Sequence, residues 1–218
     1  MPHQLRCPVV SILLFDLFGV IARQQSEHGR ARLEAVARMS GPEFWHAYWE
    51  ARPAYDRGDR SDGEYWRAVG DALGQAFTDR QTAELVAADT ASWSGVDQDM
   101  VGFVNGLAAD GRRLGLLSNV PEVLAADYER RHRWLDVFAV RGFSCRIGYA
   151  KPEADAYTWC CRALDAPPAE VLFIDDRREN VEAAVAAGLR GHLFTSLPAL
   201  RSVLATDRRG DSGAKMSR

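Results

Sequence analysis

The segment VVSILLFDLF, residues 9–18, decides the fold. Its first seven residues form a mostly apolar run of strand length that ends at a single carboxylate, Asp16, and Gly19 follows as a turn residue. Open α/β sheets bind their ligands at the C-terminal ends of parallel strands. The lone acid at this strand end therefore predicts a nucleophile or a metal ligand, although an ordinary turn also explains many such residues.

Three later segments complement this pattern. VLFIDD (171–176) is a second apolar run and ends in two carboxylates, LGLLSN (114–119) ends in a hydroxyl and an amide, and YAKPEADAY (149–157) supplies a lysine. The polar residues in question are Ser118, Asn119, Lys151, Asp175 and Asp176. If the strands are parallel, these side chains meet Asp16 at one edge of the sheet.

Strand-like and helix-like segments alternate through most of the chain. The predicted strands are 9–15, 113–118, part of 136–144, 171–174 and 191–195. The predicted helices between them are 97–109, 121–131, 153–164 and 180–187. This alternation predicts an α/β fold, a Rossmann-like parallel sheet with right-handed crossovers and helices on both faces.

Residues 23–91 interrupt the alternation and contain no convincing strand. Helical patterns occupy 28–39, 42–52, 62–73 and 79–89, and Ser61 with Glu64 forms a predicted capping box. We therefore predict an all-helical insertion at 23–91 within a core made of 1–22 and 92–206. The polar, Gly- and Ser-containing tail, 207–218, is predicted to be disordered.

The ordered set of Asp16, Ser118, Lys151 and Asp175–Asp176 resembles the four signature motifs of the haloacid dehalogenase superfamily of hydrolases, over roughly residues 9–195. The resemblance implies that the helical insertion is a C1 cap, which covers the active site and selects substrates. The segment YDRGDRSDGEYW (55–66) is similar to caps of a sugar-phosphate-phosphatase-like branch.

This resemblance implies a Mg²⁺-dependent phosphatase that acts on a small phosphorylated metabolite. Asp16 is the predicted nucleophile and forms an aspartyl-phosphate, while Lys151 balances charge in catalysis and substrate binding. Ser118 and Asn119 are predicted to bind phosphoryl oxygens. The predicted metal ligands are Asp16, Asp175, Asp176 and the backbone carbonyl of Phe18. Asn180, one helical turn past Asp176, is a candidate for orienting the cluster.

Phe18 departs from the family pattern, because phosphatases of this superfamily usually carry an Asp two residues after the nucleophile. That second acid protonates the leaving group, which phenylalanine cannot do. The candidates for a replacement acid in the insertion are His28, His46, Asp56 and Asp59. One alternative is therefore a weakly active or silent binding protein. Another is a metal-independent 2-haloacid dehalogenase, although paired acids at 175–176 would repel a carboxylate substrate.

Trp45, Tyr48 and Trp49 lie at helical i, i+3 and i+4 spacing within the insertion. We predict that these rings pack inside the cap. A contact with the core or with a second subunit is the alternative.

Composition excludes several other functions. The 218 residues are 47% hydrophobic and carry a net charge of −3, so there is no electrostatic case for nucleic acid. No apolar run approaches the roughly 20 residues of a membrane span, and the N-terminus lacks a signal-peptide pattern. The four cysteines match neither a zinc site nor a disulfide framework, which predicts reduced thiols in the cytoplasm. The chain is predicted to be a monomer or a homodimer.

Overall fold

A five-stranded parallel sheet forms the centre of the structure, a computed structural model that describes residues 12–212. Its strands are β1 (Ile12–Phe15), β2 (Arg113–Ser118), β3 (Val140–Phe143), β4 (Val171–Asp175) and β5 (Arg190–Leu193). Every neighbouring pair is parallel, in the order β3-β2-β1-β4-β5. The predicted parallel α/β sheet is therefore confirmed, and β1 lies at its centre.

Helices cover both faces of the sheet, as predicted. After the long helical insertion that follows β1, the helices are α5 (Gln98–Ala109), α6 (Glu122–Arg131), α7 (Ser144–Ile147), α8 (Ala154–Ala163), α9 (Arg178–Ala186) and α10 (Leu197–Ser212). Because side chains of a strand alternate between faces, Leu13 and Phe15 pack with α5 and α10 on one side. Ile12 and Leu14 pack with α8 and α9 on the other.

Four helices, and no strand, connect β1 to α5, apart from isolated β-bridges at Ala22. They are α1 (Glu27–Ala37), α2 (Pro42–Asp56), α3 (Asp62–Ala72) and α4 (Asp79–Ser92). The predicted capping box of Ser61 and Glu64 opens α3. We call residues 27–92 the four-helix segment; it has its own apolar cluster, which is separate from the two clusters on the sheet.

A buried arginine network joins two helices of the four-helix segment. The Nε atom of Arg52, on α2, donates to Asp56 Oδ1 at 2.7 Å, and its NH1 group donates to Asp89 Oδ2, on α4, at 2.9 Å. The hydroxyl of Tyr48 donates to the other oxygen of Asp89 at 2.6 Å. Because donors match acceptors here, burial of these charges is compensated.

The C-terminal end of α2 is attached to the core. The hydroxyl of Ser144, at the start of α7, donates to the backbone carbonyl of Asp56 and accepts the N–H of Val120 at 2.8 Å. Gly58 has a φ of 87°, and a Cβ there would lie 2.6 Å from the carbonyl oxygen of Cys145. This close approach, with a positive φ, requires glycine.

The structure describes the two chain ends only in part. Helix α10 extends to Ser212 and so enters the tail 207–218, whose disorder stays a prediction. Leu200 and Leu204 anchor this helix on the sheet, and each added residue then contributes one more helical hydrogen bond. Residues 9–11 of the predicted first strand, Cys7 and the tail 213–218 lie outside the described residues. Within the described range, no helix is long and apolar enough to cross a bilayer.

Candidate active site

The predicted site residues converge at the C-terminal edge of the sheet. Asp16 follows β1, Ser118 ends β2, and Asp175 ends β4. Lys151 arrives from the loop between α7 and α8. A cavity of about 600 Å³ opens over this edge, with the four-helix segment on its far side. The parallel register explains this convergence, because it brings the ends of neighbouring strands side by side.

Lys151 is the electrostatic centre of the site. Its ammonium nitrogen lies 2.6 Å from Asp16 Oδ1 and 2.8 Å from Asp175 Oδ2, and all three side chains are buried. Burial alone lowers the pKa of Lys151, but the two carboxylates outweigh that effect and raise it above its ordinary value. The lysine is therefore a fixed positive charge beside the predicted nucleophile.

The carboxylate of Asp16 is held in one orientation. Its Oδ1 atom accepts the backbone N–H of Leu17 at 2.6 Å in addition to the lysine contact. Burial raises the pKa of Asp16 to about 7, because Lys151 only partly offsets the loss of solvation and Asp175 adds repulsion. A further positive charge nearby would lower this pKa and favour the ionised carboxylate.

Asp175 and Asp176 differ in what they contact. Asp175 is fully buried and accepts hydrogen bonds from the backbone N–H of Arg177 at 2.7 Å and from the amide of Asn180 at 3.0 and 3.1 Å, besides the lysine. Its oxygens are already engaged, which favours a positioning role over metal ligation. Asn180 orients this carboxylate, which fits the predicted role.

Asp176 retains an unmet hydrogen-bonding capacity. Its Oδ1 atom is buried, and no described residue donates to it. Its Oδ2 atom accepts from the side chain of Gln24 at 3.2 Å. Gly19 has a φ of 90°, and a Cβ there would lie 2.0 Å from that oxygen, so only glycine allows this approach. A buried acceptor without a donor is costly unless a cation or water reaches it.

These acids fit a divalent cation. Asp16, Asp175 and Asp176 each offer an oxygen within 4.8 Å of the others, and three carboxylates face a single lysine. Hard cations such as Mg²⁺ prefer oxygen ligands of this kind. The unpartnered Oδ1 of Asp176 makes that acid, together with Asp16, the best-placed pair of protein ligands.

The carbonyl of Phe18, also predicted as a ligand, lies in the loop after the nucleophile. That loop is closed by a bridge in which Ala22 N–H donates to the Leu17 carbonyl at 2.7 Å and Gly19 N–H donates to the Ala22 carbonyl at 2.7 Å. The bridge does not use the Phe18 carbonyl. Its role as a ligand stays a prediction.

Ser118 and Asn119 have different environments. The hydroxyl oxygen of Ser118 is buried in the cavity wall without a hydrogen-bond partner among the described residues, which suits a phosphoryl oxygen. The side chain of Asn119 is committed elsewhere: its amide donates to the Lys151 carbonyl at 2.7 Å and its Oδ1 accepts the Lys151 N–H at 2.8 Å. Asn119 thus holds the loop that carries Lys151. Its backbone N–H is the group that remains to bind a phosphoryl oxygen.

The side chain of Phe18 lies in an aromatic cluster. Its ring meets Trp93 edge to face at 5.1 Å and Tyr128 at 5.4 Å between centroids. Of the four candidate replacement acids, which are all among the described residues, Asp56 lines the cavity, and His28, His46 and Asp59 do not. Burial raises the pKa of Asp56, although Arg52 opposes that shift.

The four-helix segment contributes residues to the cavity that sequence patterns missed. Trp49 was predicted to pack inside the segment with Trp45 and Tyr48, but it is 47% exposed and faces the cavity. Tyr48 is buried as predicted. Helical spacing places all three rings on neighbouring positions, but Trp49 falls at the edge of the apolar stripe. Arg52, and Gln24 just before the segment, also line the cavity, and no local pattern distinguishes them from surface residues.

The parallel sheet with acids gathered at its strand ends defines a class of protein, Rossmann-like α/β proteins that bind ligands at that edge. The match to a family model agrees: the chain belongs to the haloacid dehalogenase-like hydrolases, over residues 10–188. The resemblance seen in the motifs is thereby confirmed.

Curated relatives are similar over most of the chain. The sesquiterpene phosphatase astK of Aspergillus oryzae is 26% identical over 202 residues, which is 88% of this chain and 93% of that protein. The protein CbbY of Rhodobacter capsulatus is 28% identical over 193 residues, 82% of each chain.

Solved structures share the fold. An enzyme of this family from Bacteroides thetaiotaomicron, bt-2542, in a complex with magnesium and inorganic phosphate, has a TM-score of 0.70 at 18% identity, over 86% of this chain and 96% of that one. The L-2-haloacid dehalogenase RSc1362 has a TM-score of 0.63 at 20% identity, over 84% of this chain and 85% of that one.

Proposed function

We propose that this protein is a Mg²⁺-dependent phosphatase that hydrolyses a small phosphorylated molecule through Asp16. The observation that carries the proposal is a pair of buried oxygens without a partner among the described residues, Asp176 Oδ1 and Ser118 Oγ, at the ends of the two strands that flank β1. One suits a cation and the other suits a phosphoryl oxygen. The named phosphatase among the relatives, astK, supports this choice of reaction.

In the proposed reaction, Asp16 attacks phosphorus and forms an aspartyl-phosphate, which water then hydrolyses. Lys151 neutralises part of the negative charge that builds up when a carboxylate meets a phosphate. Ser118 Oγ and the backbone N–H of Asn119 bind phosphoryl oxygens. When bound at Asp16 and Asp176, Mg²⁺ supplies the further positive charge that this acid-rich site lacks.

The four-helix segment is proposed to be the cap that shields this reaction. It lies over the strand ends, and Trp49, Arg52 and Asp56 form the far wall of the cavity. The proposed division is a core of 1–22 and 92–206 with a cap at 23–91. The unpaired Cys145, Cys160 and Cys161 support a reducing, cytoplasmic location; we keep monomer and homodimer as alternatives.

A phosphatase screen with and without Mg²⁺ tests the proposal. We expect phosphate release that requires the metal, and a phosphorylated enzyme that can be trapped by acid quench. The absence of turnover with every ester, together with Mg²⁺-dependent binding of phosphate, would instead establish the silent binding protein that Phe18 suggests. Metal-independent halide release from 2-haloacids would establish a dehalogenase, which Asp175 and Asp176 disfavour by repelling a carboxylate.

A further inference from the structure

One part of the cavity lining is mainly aromatic. It is formed by Phe18, Trp49, Pro53 and Trp93, which we call the aromatic wall. The rings make a continuous edge-to-face series, with Trp49 and Trp93 centroids 6.1 Å apart and Trp93 and Phe18 centroids 5.1 Å apart. Trp49 is 47% exposed, so its ring is available to a ligand.

The aromatic wall is linked to the reacting centre through Phe18. Phe18 is two residues beyond Asp16, and both line the same cavity as Lys151 and Ser118. When a phosphoryl group is held at Ser118 and Lys151, the rest of the ester lies in the same cavity as the wall. Stacking of an aromatic group there strengthens binding beyond the burial of its apolar area.

The arginines of the cavity are already paired with carboxylates. The ion pairs are Arg52 with Asp56, Arg57 with Glu153 and Arg177 with Glu179. The carboxylates offset the charge of buried Arg52 fully, and that of the exposed Arg57 and Arg177 in part. Together with the aromatic wall, this favours an ester whose leaving group is apolar over a sugar bisphosphate.

Phe18 also limits how basic the leaving group can be. A general acid typically contributes about 10²–10⁴-fold, and a phenyl ring supplies none of it. A phenol has a pKa of about 10, whereas the pKa of an alcohol, like that of water, is far higher. A phenolate therefore departs without a donated proton far more readily than an alkoxide does.

We propose that the cavity takes aryl phosphates, monoesters of a phenol whose ring stacks on the aromatic wall, and this rests on the phosphatase function proposed above. An Asp16 oxygen bonds to phosphorus while the bond from phosphorus to the aryl oxygen breaks. The electron pair leaves on the phenolate, which takes its proton from solvent. Water then attacks the aspartyl-phosphate, giving inorganic phosphate, the Asp16 carboxylate and a released proton.

The test compares kcat/KM of the full chain with Mg²⁺ for phenyl phosphate, cyclohexyl phosphate and glucose 6-phosphate. The first two match in shape and differ in leaving-group basicity, and the third is polar. We expect phenyl phosphate to exceed cyclohexyl phosphate by about 100-fold or more, with glucose 6-phosphate lower still. Ring-substituted phenyl phosphates are expected to react faster as the phenol becomes more acidic.

Variants separate the two parts of the proposal. Phe18→Asp is expected to flatten the dependence on phenol acidity and to raise kcat/KM for cyclohexyl phosphate. Trp49→Ala is expected to raise KM for phenyl phosphate by about 3- to 10-fold and to leave inhibition by inorganic phosphate unchanged. Val185→Ala removes another exposed apolar side chain, distant from the cavity, and is expected to change neither quantity.

Three results would overturn the proposal. If kcat/KM for cyclohexyl phosphate or glucose 6-phosphate equals that for phenyl phosphate, the aryl phosphate proposal is contradicted, while the phosphatase function stands. If kcat/KM of the wild type does not depend on phenol acidity but that of Asp56→Asn depends on it steeply, Asp56 is the proton donor instead. No turnover of any ester, with no phosphoenzyme, ends both proposals.

Discussion

Two buried charge clusters lie on opposite sides of the cavity, and they differ in how fully their atoms are partnered. In the arginine network, Arg52 lies between Asp56 and Asp89, and Tyr48 and Trp93 donate to the remaining oxygen of Asp89. At the strand ends, three carboxylates share one lysine, and buried oxygens of Asp176 and Ser118 lack partners among the described residues. Burial of charge alone therefore does not mark a site; buried oxygens that lack partners and gather beside charged groups at one edge of the sheet do.

The largest expected difference between the two clusters is the effect of a substitution on turnover. Asp16→Asn keeps the shape of the side chain but removes the nucleophilic oxygen, so kcat/KM for a phosphate ester is expected to fall by at least about 1,000-fold. The melting temperature is expected to stay close to that of the wild type, because Lys151 keeps its contact with Asp175. Retained turnover would disprove covalent catalysis by Asp16.

The second prediction concerns the arginine network, where the expected loss is in stability. Arg52→Met removes one partner of a buried ion pair and leaves Asp89 and Asp56 uncompensated, so the free energy of unfolding is expected to fall by about 3–5 kcal/mol. Urea denaturation measures the loss. Arg80→Met, at the exposed pair with Glu84, is the matched control and is expected to leave the urea midpoint nearly unchanged. Equal effects at both sites would contradict the distinction.

The third prediction concerns the metal. A ligand that binds only the native state at 100 times its Kd adds about 2.7 kcal/mol of stability. Mg²⁺ is therefore expected to raise the melting temperature of the wild type, with the shift lost on chelation and in Asp176→Asn. Asp71→Asn, at an exposed acid of α3, serves as the control and is expected to keep the full shift. A shift that survives in Asp176→Asn would place the cation elsewhere.

The smallest expected effect tests positioning. Asn180 donates to both oxygens of Asp175, so Asn180→Ala is expected to lower Mg²⁺ affinity or kcat/KM by about 10–100-fold through a misplaced carboxylate. Titration of Mg²⁺ by calorimetry, alongside kinetics, distinguishes this from simple loss of fold. Asn105→Ala, on the exposed side of α5, is expected to change neither. An unchanged metal affinity and unchanged kinetics in Asn180→Ala would remove the assigned role.

The sequence predicts the parts of the structure that depend on local pattern. Apolar runs that end in acids locate β1 and β4, and Ser61 with Glu64 correctly marks the start of α3. Convergence of Asp16 and Asp175 follows because parallel strands end at one edge. Strand order was not predicted, since apolar periodicity specifies a buried strand and not its neighbours.

What sequence patterns missed depends on contacts between distant segments. Asp175 and Asp176 look equivalent in sequence, but consecutive residues at a strand end point in different directions, so one is enclosed and the other retains an open oxygen. Asn119 serves the lysine loop, 32 positions away, which its place beside Ser118 does not reveal. The exposure of Trp49 likewise depends on how α2 docks.

The hydroxyl of Ser144 has a consequence for the catalytic cycle. It donates to the last carbonyl of α2 and also accepts the N–H of Val120, which lies two residues beyond Ser118. Any swing of the four helices away from the sheet must break this bond. We expect a residue with no part in the chemistry to influence how quickly inorganic phosphate escapes after each turnover.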